Sequence, residues 1–218
     1  GDLIRMTEQG DVMEKTRLTL FARTDVGRVH SENEDAFLIG DLETGVRIPL
    51  PANDVAVPDE GVLVVLSDGM GGYAAGETAS ALVVESLLKY LSEKTVDRDV
   101  PLALINTAVS RVNADVVEAA RAADKRGMGA TLTAAIIRGQ EALICEVGDS
   151  RAYLFRRGRL CQITKDQSYV QMLVDAGALT PEQADNSPRK NLILQAVGRD
   201  KQIQPAVRRL RLCRGDHL

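Results

Sequence analysis

The 218-residue sequence is poor in the side chains on which several common kinds of site depend. It has no tryptophan, only 3% aromatic residues, and two histidines, His30 and His217. So few histidines leave almost nothing for a histidine zinc site or a Ser-His-Asp triad, and so few aromatics disfavour stacking on single-stranded bases. The three cysteines, Cys145, Cys161 and Cys213, are far apart and odd in number. That pattern favours reduced, buried thiols in a cytosolic protein.

The sequence also lacks a long hydrophobic run and a strong charge of either sign. No stretch reaches the about 18 consecutive apolar residues of a transmembrane helix, and residues 1–10 contain no apolar signal-peptide segment. The formal net charge of −4 disfavours nucleic acid or an anionic membrane as the main partner. With 44% hydrophobic and 27% charged residues, the composition predicts a folded cytoplasmic protein with neither kind of partner.

Hydrophobic periodicity predicts an alternation of strands and helices along one domain. The predicted strands span residues 16–23, 36–39, 62–66, 131–137, 142–147, 152–156, 160–163 and 203–212. The predicted helices span residues 77–91, 101–125, 168–176 and 181–184. Because several of the strands are joined as hairpins around a central helix pair, the pattern favours an α+β fold with antiparallel sheets over a series of βαβ crossovers.

Acidic residues stand beside the ends of three predicted strands. Glu34 and Asp35 precede one strand, Asp68 follows the strand over 62–66 at a predicted turn, and Asp149 follows another. Strand ends are rigid, so carboxylates from several strands can converge on one point. Convergent carboxylates, backbone carbonyls and waters suit Mg²⁺ or Mn²⁺. Two such ions about 4 Å apart clamp a phosphoryl group and lower the pKa of water.

Simpler interpretations of the same residues stay open on spacing alone. An Asp before Gly after a strand is commonly a turn residue, and Glu34-Asp35 could be a solvated pair. The glycines Gly69, Gly71 and Gly72 could supply positive φ or cradle a phosphate. A nucleotide-binding α/β protein using the 68–72 loop would need parallel strands, which the hairpins do not favour.

Four segments that follow one another in the chain, within residues 24–80 and 127–153, resemble the signatures of the metal-dependent protein phosphatases of the 2C type. The second contains Leu66-Ser67-Asp68-Gly69-Met70-Gly71-Gly72 and the fourth contains Gly148-Asp149-Ser150-Arg151. A further segment, from Thr164-Lys165-Asp166-Gln167-Ser168 onward, is similar to the flap of the bacterial members. The four signature-like segments span residues 24–37, 66–80, 127–133 and 147–153.

The resemblance implies an antiparallel β-sandwich flanked by helix pairs, an α-β-β-α arrangement with a metal site at one end. It implies two Mn²⁺ or Mg²⁺ ions, with a third in bacterial members, and hydrolysis of phosphoserine and phosphothreonine by a metal-bridging water. Asp68 would bridge two ions and, with Asp35, carry catalysis. The Gly69 carbonyl, Glu34 and Asp35 would hold the second ion, and Asp149 the third. The implied substrates are phosphoproteins that are targets of a Ser/Thr protein kinase.

Two positions depart from the pattern of the family. His30 stands where the family usually has an arginine that binds the substrate phosphate, and a histidine offers a pH-dependent, monodentate contact instead. Arg28, two residues earlier, is the second candidate for this contact. Met70 and Tyr73 stand in the stretch where many members have a histidine that protonates the leaving group, so water is the expected proton source here.

The resemblance also predicts the domain organisation: an N-terminal tail over residues 1–15 and a 2C-like domain over 16–218 that lacks its last strands. Two further metal-binding aspartates of the family would lie beyond Leu218, so weak or absent turnover is expected of this chain. The alternative is a non-catalytic phosphatase-like module that binds or regulates partners, or an inactive fragment.

Overall fold

The chain forms eleven strands and four helices within residues 15–28, 31–72, 74–93 and 102–218, which the computed structural model describes. In chain order the strands are β1 (Arg17–Leu20), β2 (Asp35–Asp41), β3 (Val46–Arg47), β4 (Ala52–Ala56), β5 (Val62–Met70), β6 (Gly129–Ala130), β7 (Leu132–Arg138), β8 (Glu141–Val147), β9 (Tyr153–Arg156), β10 (Arg159–Gln162) and β11 (Ala206–Arg211). The helices are α1 (Ala74–Ser92), α2 (Leu102–Ala122), α3 (Tyr169–Asp175) and α4 (Pro181–Asp185).

The central layer is a seven-stranded sheet in the order β11-β8-β7-β5-β2-β3, with β6 paired to the end of β5. Two small sheets, β1-β4 and β9-β10, complete the strand pairing. Every pair between these strands is antiparallel. The predicted antiparallel α+β class is therefore confirmed, and the described residues contain none of the parallel strand pairs that a nucleotide-binding α/β fold would need.

Alternating side chains divide the central sheet between two hydrophobic cores. In β5, Leu63 and Val65 belong to the core beneath the helices, whereas Val62 and Val64 face the core on the opposite side. Leu20 of β1 joins that second core, so the small β1-β4 sheet packs over this face. Successive residues of a strand point to opposite faces, and a continuous apolar run is therefore what a strand covered on both sides requires.

The long helices α1 and α2 pack together on the other face of the sheet. In α2 the predicted stripe is buried at Ile105, Val109, Val112 and Val116, but Leu102 at the start of the helix is 54% exposed. The three- and four-residue spacing thus predicts the buried face correctly, except at the first residue of the helix.

The structure corrects the bounds of three predicted strands by three residues or more. The first strand ends at Leu20 instead of residue 23, and the last spans Ala206–Arg211 instead of 203–212. The third correction matters for the site: β5 does not end at Leu66 but continues through Asp68 to Met70. Its backbone stays paired there, with β2 on one side and β6 on the other, and this pairing extends the strand.

Three other predictions concern the cysteines, membrane-spanning helices and the N-terminal tail. Cys145 is buried as predicted, but Cys161 and Cys213 are exposed, so the prediction of three buried thiols is wrong for two of them. None of the helices in the described ranges is long and apolar enough to cross a membrane. Residues 1–14, which make up nearly all of the predicted tail, lie outside the described residues.

Candidate metal centre

Asp35 and Asp68 lie directly opposite each other on the neighbouring strands β2 and β5. The Asp68 amide donates to Thr131 Oγ1 at 2.9 Å, and the Asp68 carbonyl accepts from the Thr131 amide at 2.9 Å. These bonds keep Asp68 in an extended strand, so the predicted turn at this residue is wrong. Opposed residues of an antiparallel pair have Cβ atoms about 5 Å apart, and the two carboxylates therefore stand side by side.

The electrostatics of Asp68 show that further carboxylates lie close to this pair. The pKa of Asp68 is raised to about 6, mainly by desolvation and then by the charges of Asp35, Asp149 and Glu34 and a hydrogen bond with Asp35. Desolvation also raises the pKa of Asp149. Three acidic side chains thus repel the Asp68 carboxylate at one end of the sheet, and this repulsion is relieved by protonation or by a cation.

Glu34 is held against the first two turns of α1 by contacts of its backbone and of its carboxyl group. Its carbonyl accepts from the Gly69 amide at 3.0 Å and from Ser80 Oγ at 2.6 Å. Its carboxyl group occupies the space beside Gly76, where an added Cβ would lie 2.7 Å from Glu34 Cδ. The absence of a side chain at Gly76 therefore leaves the cavity that the Glu34 carboxylate fills.

The glycines after Asp68 serve two different purposes. Gly71 and Gly72 have positive φ, at 123° and 71°, as one of the two sequence interpretations predicts. Gly69 lies within β5, and a Cβ there would come 2.0 Å from the Gly76 carbonyl oxygen. Gly69 is therefore required for the close approach of β5 to α1.

Asp149 is connected to Asp68 through Thr131, a buried residue for which the sequence analysis predicts no role. Thr131 Oγ1, which accepts from the Asp68 amide, also bonds Ser150 Oγ at 2.7 Å. Ser67 Oγ donates to the Thr131 carbonyl at 2.6 Å. One threonine thus joins the strand of Asp68 to the turn that carries Asp149. The feature of the sequence that could have indicated Thr131 is the third signature-like segment, residues 127–133, which contains it.

The predicted phosphate-binding residues are not brought into this cluster by any described contact. Arg28 is exposed after the Gly27 turn and makes no hydrogen bond or ion pair with another described residue. His30 and Tyr73 lie outside the described residues. The structure therefore brings together Glu34, Asp35, Asp68 and Asp149. No described contact places a predicted phosphate-binding residue beside them.

The donor set fits hard divalent cations in its chemistry. Across the described ranges, no group of three or more His, Cys, Asp or Glu side chains is arranged to hold a metal ion as it stands. The carboxylates are nevertheless near enough for three of them to raise the pKa of Asp68. Carboxylate oxygens without histidine or thiolate partners are the ligands of Mg²⁺ and Mn²⁺, so the residues present suit these ions.

Comparison with known proteins gives this arrangement a family context. The family described as Protein phosphatase 2C matches residues 52–193. The serine/threonine protein phosphatase PstP of Mycobacterium tuberculosis is 40% identical over 177 residues, which cover 81% of this chain and 30% of that protein. The chain thus spans 30% of the length of this relative. The serine/threonine phosphatase stp of Listeria welshimeri is 35% identical over 185 residues, with coverage of 84% of this chain and 68% of that protein.

A solved structure shows the same likeness in three dimensions. It is described as the catalytic domain of the serine threonine protein phosphatase PstP in complex with 2 manganese ions. It superposes with a TM-score of 0.68 at 35% identity, covering 89% of this chain and 72% of that one. On the extent of the family match and the similarity to these relatives, the chain belongs to the protein phosphatase 2C family.

Proposed function

We propose that this chain hydrolyses phosphoserine and phosphothreonine in proteins, using Mn²⁺ or Mg²⁺. The observation that carries the proposal is the set of four carboxylates, Glu34, Asp35, Asp68 and Asp149, at one end of the sheet. These carboxylates would repel a phosphate monoester, so the site can accept one only with divalent cations present. The PstP structure with 2 manganese ions and the names of the relatives support the same chemistry.

Each acidic residue has a separate part in this proposal. Asp68 would hold two ions, Asp35 and Glu34 would hold the second of them together with the Gly69 carbonyl, and Asp149 would hold an additional third ion. When bound, the cations neutralise the phosphoryl oxygens and lower the pKa of water. The hydrogen bonds of Asp68 to Thr131 fix its backbone, so the carboxylate is oriented before any ligand arrives.

Arg28 and His30 are proposed to bind the substrate phosphate. Arg28 supports this role because its guanidinium has no described partner to give up. A guanidinium can form two parallel bonds to a phosphate, whereas histidine forms one. Arg28 is therefore expected to contribute more to binding than His30.

The proposed substrates are phosphorylated targets of a Ser/Thr protein kinase, and the proposed location is the cytoplasm, without a nucleic acid or membrane partner. The net charge of −4 supports the absence of a polyanionic partner. The three free cysteines support a reducing compartment. Residues 16–218 are proposed to act as one domain, with residues 1–15 as a tail.

The test is phosphate release from a phosphothreonine peptide with Mn²⁺, with Mn²⁺ and EDTA, and by the Asp68→Asn variant. The proposal expects release that EDTA and Asp68→Asn both abolish. Asp59→Asn is the matched control. The Asp59 side chain is 88% exposed, and among the described residues its ion pair is with Lys15. Release that persists in Asp68→Asn would contradict the proposal.

A non-catalytic phosphatase-like module is the second candidate. It is favoured by one observation, that no three potential metal ligands in the described ranges are arranged to hold an ion as they stand. Binding of the phosphopeptide without release of phosphate, in Mn²⁺, would establish this alternative.

A further inference from the structure

The turn that carries Asp149 is held in place by contacts with residues 164–167, a segment here called the strap. Gly148 has φ of 103°, and a Cβ there would lie 2.8 Å from Thr131 Cγ2. The Gly148 amide donates to Gln167 Oε1 at 2.9 Å, and the Gln167 amide donates to the Gly148 carbonyl at 2.9 Å. One residue of the strap therefore fixes the peptide groups on both sides of Gly148, directly before Asp149.

The other end of the turn is held by an ion pair with two parallel bonds. Arg151 Nε donates to Asp166 Oδ1 at 2.8 Å, and Arg151 Nη2 donates to Asp166 Oδ2 at 2.5 Å. Gln162 Nε2 adds a bond to Asp166 Oδ1 at 3.0 Å. The Asp166 side chain is only 12% exposed, so this pair is shielded from water on the carboxylate side.

A third contact joins the strap to the strand before the turn. Both carboxylate oxygens of Glu146 accept from the Lys165 amide, at 3.1 and 3.0 Å, and Glu146 is only 3% exposed. Residues 148–151 and the strap are thus joined by side chains at both ends, and Asp149 lies between the points of attachment.

The strap is also the base of the segment that contains α3 and α4, residues 168–195. The Leu194 amide donates to the Gln167 carbonyl at 2.7 Å, and Gln195 Nε2 donates to Gln167 Oε1 at 2.7 Å. Ser168 pairs with Ile193 as an isolated bridge. Both ends of this segment therefore meet at Gln167, the residue that fixes Gly148.

We propose that Gln167 and the Arg151–Asp166 pair are positioning residues that couple the Asp149 carboxylate to the α3–α4 segment. They do not touch the ions or the substrate; they fix the backbone on which Asp149 is placed. The coupling rests on the proposed function, because it concerns the cation that Asp149 holds there. Loss of a residue that orients a metal ligand commonly weakens metal binding about 10–100-fold.

Two variants test the coupling, and each has a matched control. Arg151→Lys keeps the charge but removes the two parallel bonds, and Arg156→Lys makes the same change in the Arg156–Asp216 pair, which does not contact the Asp149 turn. Gln167→Met removes the side-chain amide group but keeps a side chain of similar length. Gln171→Met does the same within α3, where the side-chain amide of Gln171 donates to Asp175.

Mn²⁺ binding is measured by titration calorimetry, and amide hydrogen exchange is measured on the same proteins without metal. Arg151→Lys and Gln167→Met are expected to weaken the weakest Mn²⁺ site about tenfold, and to accelerate exchange at both Gly148 and Leu194. The control variants are expected to bind Mn²⁺ within about twofold of the wild type. Thermal unfolding of all four variants compares their stability.

Comparison of the test and control variants with the wild type separates the coupling from the proposed function. If the wild-type chain binds Mn²⁺ and releases phosphate while Arg151→Lys and Gln167→Met bind Mn²⁺ equally well, the coupling is wrong and the proposed function stands. If the control variants lose as much Mn²⁺ affinity as the test variants, the effect is general loss of stability and the coupling is wrong. A wild-type chain that binds no Mn²⁺ contradicts both.

Discussion

Replacing Gly76 with alanine should separate the stability of the fold from the placement of the Glu34 carboxylate. An added Cβ at Gly76 would lie 2.7 Å from Glu34 Cδ and 2.8 Å from Glu34 Oε1. Ordinary contacts begin at 3.4 Å, so the carboxyl group has to withdraw by about 0.7 Å. Metal–ligand distances are usually held within about 0.2 Å, and Glu34 would therefore be lost as a ligand of the proposed site.

The stability of the Gly76→Ala variant should change in the opposite direction. The atoms that must move are the end of a flexible side chain, which can rotate away at little cost. Alanine is favoured over glycine within a helix by about 0.5–1 kcal/mol. We therefore expect the free energy of unfolding to stay constant or rise by up to about 1 kcal/mol, while Mn²⁺ affinity falls about tenfold or more, equivalent to about 1.4 kcal/mol.

Titration calorimetry with Mn²⁺ and urea unfolding measure the two effects on one protein sample. Gly69→Ala is the contrasting variant, because its Cβ would meet the Gly76 carbonyl oxygen at 2.0 Å and backbone atoms cannot rotate away. That variant should lose about 3 kcal/mol or more. If Gly76→Ala binds Mn²⁺ as the wild type does, or is destabilised as much as Gly69→Ala, the inferred contact between Gly76 and Glu34 is wrong.

Three further predictions concern single residues. Thr131→Val removes a buried hydroxyl with two hydrogen bonds, and should cost about 1–3 kcal/mol in urea unfolding, whereas Thr131→Ser should recover most of that loss. Hydrogen bonds from Arg156 and from the Cys213 amide lower the pKa of Asp216 to about 2 from 3.8. The stability that Asp216 contributes is therefore present above pH 3.8 and lost as the pH falls towards 2, and pH-dependent unfolding of Asp216→Asn should lack this loss. Desolvation raises the pKa of Cys145 to about 12, so iodoacetamide at pH 8 should label only the two exposed cysteines of the folded chain, and labelling of Cys145 without unfolding would contradict this.

The sequence predicts eight of the eleven strands and the long helices because their hydrophobic patterns are regular, but it does not predict β3, β4 and β6. The buried stripe of α2, from Ile105 to Val116, follows the helical period, and the apolar run in β5 follows from cores on both of its faces. The acidic residues could also be found, because Asp68 and Asp149 stand in short segments with a family resemblance. These features depend on residues that are near one another in the chain.

The features that the sequence could not predict depend on contacts between distant residues. Asp68-Gly69 has the composition of a turn, but Asp35 pairs with Asp68 and Ala130 pairs with Gly69, and these partners hold both residues in a strand. Likewise, nothing in the local sequence around Gly76 indicates that Glu34 needs the space. Local preference is weak compared with a completed set of sheet hydrogen bonds.

The position of Asp68 inside a strand has a consequence for how the proposed site is built. A carboxylate on a turn would move with that turn, whereas Asp68 is bonded through its amide and carbonyl to Thr131. Thr131 in turn bonds Ser150, beside Asp149. Since these residues come from separate parts of the chain, the four acids meet only when the central sheet is assembled. A cation bound there would therefore stabilise the assembled sheet, because it binds the folded state and not the unfolded one.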